Sequence, residues 1–526
     1  MATIQEMMIR FGLDQYVPEG EGNVITFRVR SDEWKSVCQT LFSGKELRFL
    51  TMVATDDRRA SGSFRVYVCF GIPKEHLFLM PYITIDPAVP KFPSLATVIH
   101  QAAGYEREIH TFFGLIPEGH PDLRKLNLHD DFPDGVFPLR KDFDGTSHPV
   151  GRTATPYAFQ TVDGEGIYEI PVGPVHAGII EPGYFRFSVL GEEILSFEAK
   201  LGYVHKGVEK LFESKTIGDQ IRLAERVSGD SSVAHALAFV QGAESLSGVT
   251  VPQRSQYIRM ICAELERMAN HFNDMAFIML DTGFSFGGSQ GTRLRERIMQ
   301  WNEKISGNRY MRGMMVFGGI GRDISTEMVD ALADDLELIE QDFEEVVSAS
   351  LESDSLLNRL KRTGTLDREI ALDHGVTGVP LRALGMESDA RIDFPYAAYE
   401  SVQFAVPTET TGDVYARLFV RIKELRSSFR ILNQVLALLP GESDDLIGAK
   451  QSFRQNSIAI GMTEGWRGDI VYCLMSDAMG RITRVKVRDP SFLNWQIFPY
   501  ILGNDVVPDF PLINKSFNLS YSGNDL

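Results

Sequence analysis

A run of turn-forming residues, Lys141-Asp-Phe-Asp-Gly-Thr-Ser-His-Pro-Val-Gly-Arg-Thr-Ala-Thr-Pro156, stands between two stretches whose apolar residues follow different periods. Pro, Gly, Asp and Thr at this density make turns and connections, not a packed interior. Before it, from about Gly22 to Ile85, short runs such as Val24-Ile-Thr-Phe-Arg-Val and Phe64-Arg-Val-Tyr-Val-Cys-Phe alternate or are β-rich. Amphipathic stretches accompany them around Asp32–Leu41 and Leu95–His110. A small α+β domain is therefore expected over residues 1-145.

After the run, β-like sequence continues to about Leu201. Helical period then dominates Gly218–Gly242, Arg254–Leu280, Thr292–Ser306, Ser325–Leu360 and Val414–Leu439. Strand-like alternation returns at Ile470-Val-Tyr-Cys-Leu and Ile482-Thr-Arg-Val-Lys-Val-Arg, ahead of a Pro- and Asn-rich tail. The expected fold is α+β overall. It has the small N-terminal domain, a linker over 146-168, and a mainly helical domain with peripheral β-structure over 169-526.

The balance of 71 acidic against 53 basic residues, a net charge of −18, argues against nucleic acid or bare anionic lipid as a direct partner. No stretch approaches the roughly 20 apolar residues that cross a bilayer. The start, Met1-Ala-Thr-Ile-Gln-Glu, has no charged segment leading into an apolar one. A cytoplasmic protein is expected, touching a membrane only through other proteins. Cys38, Cys69, Cys262 and Cys473 are far apart and form no Cys-x-x-Cys, so they read as small buried hydrophobes in a reducing compartment.

Phosphate-cradling loops are missing, since neither a Gly-x-x-x-x-Gly-Lys-Ser/Thr nor a Gly-x-Gly-x-x-Gly after a strand occurs, and no nicotinamide site is expected. The Gly-rich segments Gly283–Gly291 and Gly313–Gly321 suit tight turns and close helix packing. Arg484, Lys486 and Arg488 alternate along one predicted strand face, for which solvent is the expectation and an acidic neighbour the alternative. His176, His205 and His235 lack the spacing of a metal site and read as hydrogen-bonded structural residues.

Three ordered motifs carry a family resemblance in the first domain: Tyr105-Glu-Arg-Glu-Ile-His-Thr-Phe-Phe-Gly-Leu, Gly119-His-Pro-Asp-Leu-Arg-Lys-Leu and Pro138-Leu-Arg-Lys-Asp-Phe. They resemble the smaller hydrophilic subunit of respiratory complex I (30-kDa type), with Thr111 where that family carries an acidic residue. From Gly173 onward, Gly173-Pro-Val-His-Ala-Gly-Ile-Ile-Glu-Pro-Gly-Tyr-Phe-Arg-Phe, Leu201-Gly-Tyr-Val-His-Lys-Gly-Val-Glu-Lys-Leu, Gly378-Val-Pro-Leu-Arg-Ala, Thr410-Thr-Gly-Asp-Val-Tyr-Ala-Arg and Thr463-Glu-Gly-Trp-Arg-Gly are similar to another family. That family is the large subunit of membrane-bound [NiFe]-hydrogenases and its 49-kDa-type complex I homologue. Both modules in one chain resemble the hydrogenase-3/hydrogenase-4 type large subunit of formate hydrogenlyases.

The resemblance implies a small iron–sulfur subunit next door with a [4Fe–4S] cluster, a ferredoxin-like iron–sulfur subunit, antiporter-like and other membrane subunits, and a place on the inner face of the cell membrane. It also locates departures. Nickel and iron in that family are held by two Cys-x-x-Cys pairs, which fall here on Ser228-Gly-Asp-Ser231 and Ser520-Tyr-Ser-Gly523. Hydroxyls are hard, weak ligands and glycine offers none, so no metal is expected in this chain. The His and Tyr that bind quinone in complex I correspond to Glu181 and Gly229.

What the resemblance leaves in the chamber is polar. Glu181, His176 and Arg467 are the expected working residues, and Ser228, Ser231, His235, Glu464 and Asp525, with Asp230, are the expected lining. Glu181 matches a proton-relaying position, and Arg467 matches one that sits over the metal's diatomic ligands; an ion pair of Arg467 with Glu464 or an aspartate is the structural alternative. The function expected is a nickel-free redox and coupling subunit of a complex I-like membrane oxidoreductase, linking electron transfer from the adjacent [4Fe–4S] subunit to ion translocation. Quinone reduction in an altered pocket and a purely structural coupling subunit are the alternatives.

Overall fold

The alternating runs of the N-terminal part pair into a five-stranded sheet, in the order Pro18–Glu19, Val24–Arg28, Leu77–Ile85, Ser63–Ile72, Arg48–Asp57. Val24–Arg28 runs parallel to Leu77–Ile85 and the other neighbours are antiparallel. The protein is described by a computed structural model covering residues 4–526 apart from 21, 45, 147–148, 150–154, 177–179, 450 and 504. Part of the linker, 147–148 and 150–154, thus lies outside the described residues.

Successive residues of a strand point to opposite faces, and here both faces are covered. Val68 and Phe70 pack with Trp34 and Tyr105, from the helices Trp34–Ser43 and Ala102–Phe113. Tyr67 and Cys69 point the other way, onto Ile460, Met462, Val471 and Cys473. These last belong to an antiparallel sheet of the second domain, Ile458–Gly465, Gly468–Ser476 and Ile482–Arg488. Two sheets back to back therefore join the two parts of the chain.

The fold is α+β, with the N-terminal sheet domain followed by a mainly helical one. The 29-residue helix Gln253–Asp281 lies at its centre, flanked by Ser285–Ser306, Thr326–Leu351 and Val414–Leu438. The Gly-rich run after Gly283 is helical, and its glycines allow close approach: a Cβ at Gly291 would lie 2.9 Å from that of Ala276. Among the described residues, no helix is long and apolar enough to cross a membrane. All four cysteines are free and buried, and burial pushes the thiols of Cys262 and Cys473 up to about 12.

Three expectations need correction. The helix expected over Gly218–Gly242 is two, Ile217–Ala224 and Ser232–Ser247, separated by a turn. Ser325–Leu360 also breaks, at Ser353, whose side chain accepts from the Leu356 N–H and starts the helix Asp354–Leu360. The cationic strand face does not meet solvent. Arg484 pairs with Glu209 at 2.6 Å, Lys486 with Glu108 at 2.6 Å and Arg488 with Asp469 at 2.7 Å, all buried. Burying these cations requires such partners.

Candidate active site

The turn that interrupts the expected helix builds the site. Ser228-Gly-Asp-Ser231 is turn-forming sequence, and Glu266 from the central helix accepts from the Val233 and Ala234 N–H groups at 2.7 and 3.0 Å, capping the helix that restarts at Ser232. The turn meets the C-terminal segment: the hydroxyls of Ser228 and Ser520 are 2.8 Å apart, and those of Ser520 and Ser522 are 3.3 Å apart. Ser520 in turn accepts from the Gly523 N–H at 2.9 Å, starting the short helix Tyr521–Asp525. Segments separated by almost 300 residues thus converge on one spot.

Arg467 arrives from the hairpin turn Gly465-Trp-Arg-Gly468. Its guanidinium stacks 3.8 Å from the Trp466 ring centre, its Nη1 and Nη2 each donate to an oxygen of Asp230 at 2.8 Å, and its Nε donates to the Asn518 carbonyl. Nη1 also lies 3.5 Å from the hydroxyls of both Ser228 and Ser231. Burial works to raise the Asp230 carboxyl, but the Arg467 charge outweighs it and holds the group below its ordinary value.

Glu181 accepts from the Ser522 N–H at 3.0 Å, and its charge is felt at Lys206, Tyr521 and Asp525. Asp525 accepts from the Val204 N–H at 3.1 Å, and burial pushes its carboxyl up to about 6. His176 sits across Tyr521, with ring centres 6.2 Å apart, and burial lowers its imidazole. Ala177 to Ile179, between His176 and Glu181, lie outside the described residues.

His235 lies one layer deeper. Its Nε2 is 3.0 Å from the Asp489 carboxylate and its Nδ1 is 3.0 Å from the Tyr472 hydroxyl. Asp489 also accepts from the Ser491 N–H at 2.7 Å, and it lies directly beneath Gly523, where a Cβ would come within 2.5 Å of its carboxyl carbon. Sequence reasoning missed this aspartate. The visible signal, Asp before Pro490 at a helix start, marks a helix cap, and the structure uses it as one.

Glu181, Ser228, Ser231, Arg467 and Asp525 are thus drawn around the C-terminal segment, with His176 beside it and His235 behind. Glu464 is not among them. Its carboxylate turns to Arg382 at 2.8 Å and to the Ala390 N–H at 2.9 Å, so of the two partners considered for Arg467, Glu464 or an aspartate, it is an aspartate, Asp230, that pairs with it. Burial, with Asp389 adding, pushes Glu464 up to about 7.

The donor set does not fit nickel. At the places where the resemblance puts four thiolates stand three hydroxyls, those of Ser228 and Ser520 bonded to each other and those of Ser228 and Ser231 to Asp230, and a glycine backed by Asp489. Among the described residues no three His, Cys, Asp or Glu gather as a metal set.

Comparison with known proteins gives two matching family models. Residues 27–149 match the 30 Kd subunit of the respiratory-chain NADH dehydrogenase, and residues 281–457 and 446–525 match its 49 Kd subunit. Formate hydrogenlyase subunit 5 of Escherichia coli (strain K12) is 32% identical over 95% of this chain and 89% of its own length. Hydrogenase-4 component G of the same organism is 32% identical over 95% of this chain and 88% of its own. NADH-quinone oxidoreductase subunit 4 of Thermus thermophilus is 32% identical, covering 67% of this chain and 92% of its own length. Among solved structures, a chain of the membrane-bound sulfane sulfur reductase, an archaeal respiratory membrane complex, superposes with a TM-score of 0.65 at 25% identity, over 69% of this chain and 99% of that one.

Proposed function

Because the chain belongs to the family that unites the 30 Kd and 49 Kd subunits of the respiratory-chain NADH dehydrogenase with formate hydrogenlyase subunit 5 and hydrogenase-4 component G, we propose that it is a nickel-free redox and coupling subunit of a membrane respiratory complex. It receives electrons from a [4Fe–4S] cluster in an adjacent small subunit and passes the consequence of their transfer to ion-translocating, antiporter-like subunits. A ferredoxin-like iron–sulfur subunit extends the electron path, and these partners hold the chain peripherally at the inner face of the membrane.

The observation that carries this reading is the polar chamber itself. Glu181 stands at the Ser522 N–H, and Arg467 is held beside the Ser228 and Ser231 hydroxyls by Asp230. Arg467 supplies a fixed positive charge whose Nη1 faces the Ser228 and Ser231 hydroxyls at 3.5 Å, which suits an acceptor that gains negative charge on reduction. Glu181, beside Lys206 and Asp525, supplies the proton that follows the electron. A quinone is one acceptor of that chemistry.

The test uses the complex purified from membranes, with reduced methyl viologen as donor and a short-chain quinone or polysulfide as acceptor. Glu181→Gln keeps size and hydrogen bonding but carries no exchangeable charge. We expect it to assemble normally and lose most turnover, with Glu181→Asp keeping part, and nickel by plasma mass spectrometry to lie well below one per chain. Full turnover in both Glu181→Gln and Arg467→Gln would reduce the chain to a structural subunit.

A further inference from the structure

Between the two domains lies a cavity of about 440 Å³, within the span of roughly 300–1,000 Å³ that small-molecule sites occupy. One wall comes from the helix Ala102–Phe113 and from residues 120–126 of the N-terminal domain. The other comes from the strand Glu193–Lys200, from His374 and from residues 492–500 of the helical domain. The cavity extends to Asn524, whose amide donates to Asp525 at 2.9 Å. It therefore backs onto the chamber without drawing on Glu181 or Arg467.

Charge does not choose what this cavity takes. Four cations line it, and each faces a carboxylate. Arg107 lies 4.0 Å from Asp122, Arg124 lies 2.7 Å from Asp122 and also pairs with Glu198, Lys125 lies 2.6 Å from Asp134, and Lys200 pairs with Asp130. Four cations against four carboxylates leave no surplus for a charged ligand to answer. His374 adds none at neutral pH, because burial, with His100 beside it, lowers the imidazole to about 4.

Aromatic surface and unused hydrogen-bonding capacity remain. Phe197, Phe492, Trp495, Tyr157 and Tyr500 all contribute to the lining. Among the described residues, Trp495 Nε1 and His374 Nδ1 have no hydrogen-bond partner, although the two residues are only 4% and 7% exposed. An indole N–H can only donate, and leaving it buried and unpaired is costly, so it calls for an acceptor from outside the chain. The His374 ring is held in place by His100, with centres 4.3 Å apart, and by Tyr500, at 4.9 Å. Its neutral imidazole donates or accepts at Nδ1 according to tautomer.

We propose that this interdomain cavity binds a flat, uncharged ring compound bearing ring carbonyls, with a carbonyl oxygen accepting from Trp495 Nε1 and a second polar atom of the ligand meeting His374 Nδ1. The aromatic lining takes the faces of the ring. A quinone head group and the isoalloxazine ring of a flavin share this chemistry, and both are neutral, as the paired charges around the cavity require. The site is separate from the acceptor position at Arg467. It stands whether or not the redox role proposed above holds.

The test is equilibrium dialysis of the purified full chain against duroquinone and, separately, lumiflavin. About one equivalent of at least one of them is expected to be retained. Trp495→Phe keeps an aromatic ring and removes the N–H, and His374→Phe does the same at the second contact; each is expected to weaken retention about tenfold, the worth of one hydrogen bond to a buried group. Ala103→Phe fills the cavity from a partly exposed position in the first turn of its helix, where the chain tolerates the change, and is expected to abolish retention. Arg467→Gln, in the chamber, is expected to leave it unchanged. Duroquinone retained without lumiflavin assigns the site to quinone head groups, and the reverse assigns it to flavin rings. Retention of neither ring overturns the site. So does retention undiminished in both Trp495→Phe and Ala103→Phe, or retention that Arg467→Gln removes, since the ring then binds in the chamber.

Discussion

Arg467 and Asp230 meet as a two-pronged ion pair, each guanidinium nitrogen 2.8 Å from its own carboxylate oxygen, with the Asp230 side chain still 39% exposed. The pair holds the first turn of the site to the hairpin that carries Trp466. Arg467→Ala is expected to lower unfolding stability by roughly 2–4 kcal/mol, toward the lower figure because Asp230 keeps access to solvent. Arg467→Lys retains charge but only one prong, so about half that loss is expected. Urea unfolding of the two variants checks this; an undiminished midpoint in the alanine variant would mean that Arg467 is kept for chemistry alone.

Glu266 makes stability depend on pH in an unusual sense. Burial pushes its carboxyl up to about 8, so the folded chain keeps a proton that the unfolded chain, with an ordinary value of 4.5, gives up. Between those values the unfolded state gains from ionising and the folded state does not. Stability is therefore expected to fall as pH rises through this window, by up to about 1.4 kcal/mol per pH unit, and to level off above it. Glu266→Gln cannot ionise. Its urea midpoint should decline less steeply with pH, even though one amide oxygen replaces two acceptors at the Val233 and Ala234 N–H groups; parallel declines would assign the pH dependence to other carboxyls such as Glu106.

Much of this was legible in the sequence where local pattern decides structure. The expected helix Arg254–Leu280 forms as Gln253–Asp281, and Val414–Leu439 as Val414–Leu438, because apolar residues at helical spacing suffice. The break at Ser228–Ser231 was hidden because helical spacing resumes beyond it, and the cap that restarts the helix, Glu266, comes from another element. The cationic face of Ile482–Arg488 misled for the same reason: the partners of Arg484 and Lys486, Glu209 and Glu108, lie 275 and 378 residues away. Alternation tells which residues share a face. It does not tell what that face meets.

If the acceptor is a quinone, Ser231 is where obstruction will show. Its hydroxyl lies 3.5 Å from Arg467 Nη1, and the residue is 3% exposed, so the added bulk of valine must press on the Arg467 guanidinium. Ser231→Val is expected to slow quinone-dependent turnover at least severalfold while the complex assembles, whereas His235→Leu acts through Asp489, from behind the chamber. Equal rates for Ser231→Val and the unmodified complex count against a quinone bound here.

Restoring cysteines will not by itself rebuild a nickel site, and the obstacle is Asp489. A Cβ at position 523 would lie 2.5 Å from both the carboxyl carbon and Oδ2 of Asp489, closer than real side chains approach. That carboxylate has little room to yield, because His235 holds it from one direction and the Ser491 N–H from another. Gly523→Cys alone is therefore expected to destabilise the chain by roughly 1–3 kcal/mol through overpacking. The fourfold variant with cysteine at 228, 231, 520 and 523 should carry the same penalty and bind nickel poorly. Asp489→Ala added to it removes the clash and the competing negative charge, while leaving His235 with Tyr472 as its partner. Nickel per chain after reconstitution, measured by plasma mass spectrometry on both variants, separates the cases: retention that is equal with and without Asp489 would show that the carboxylate does not close this position to metal.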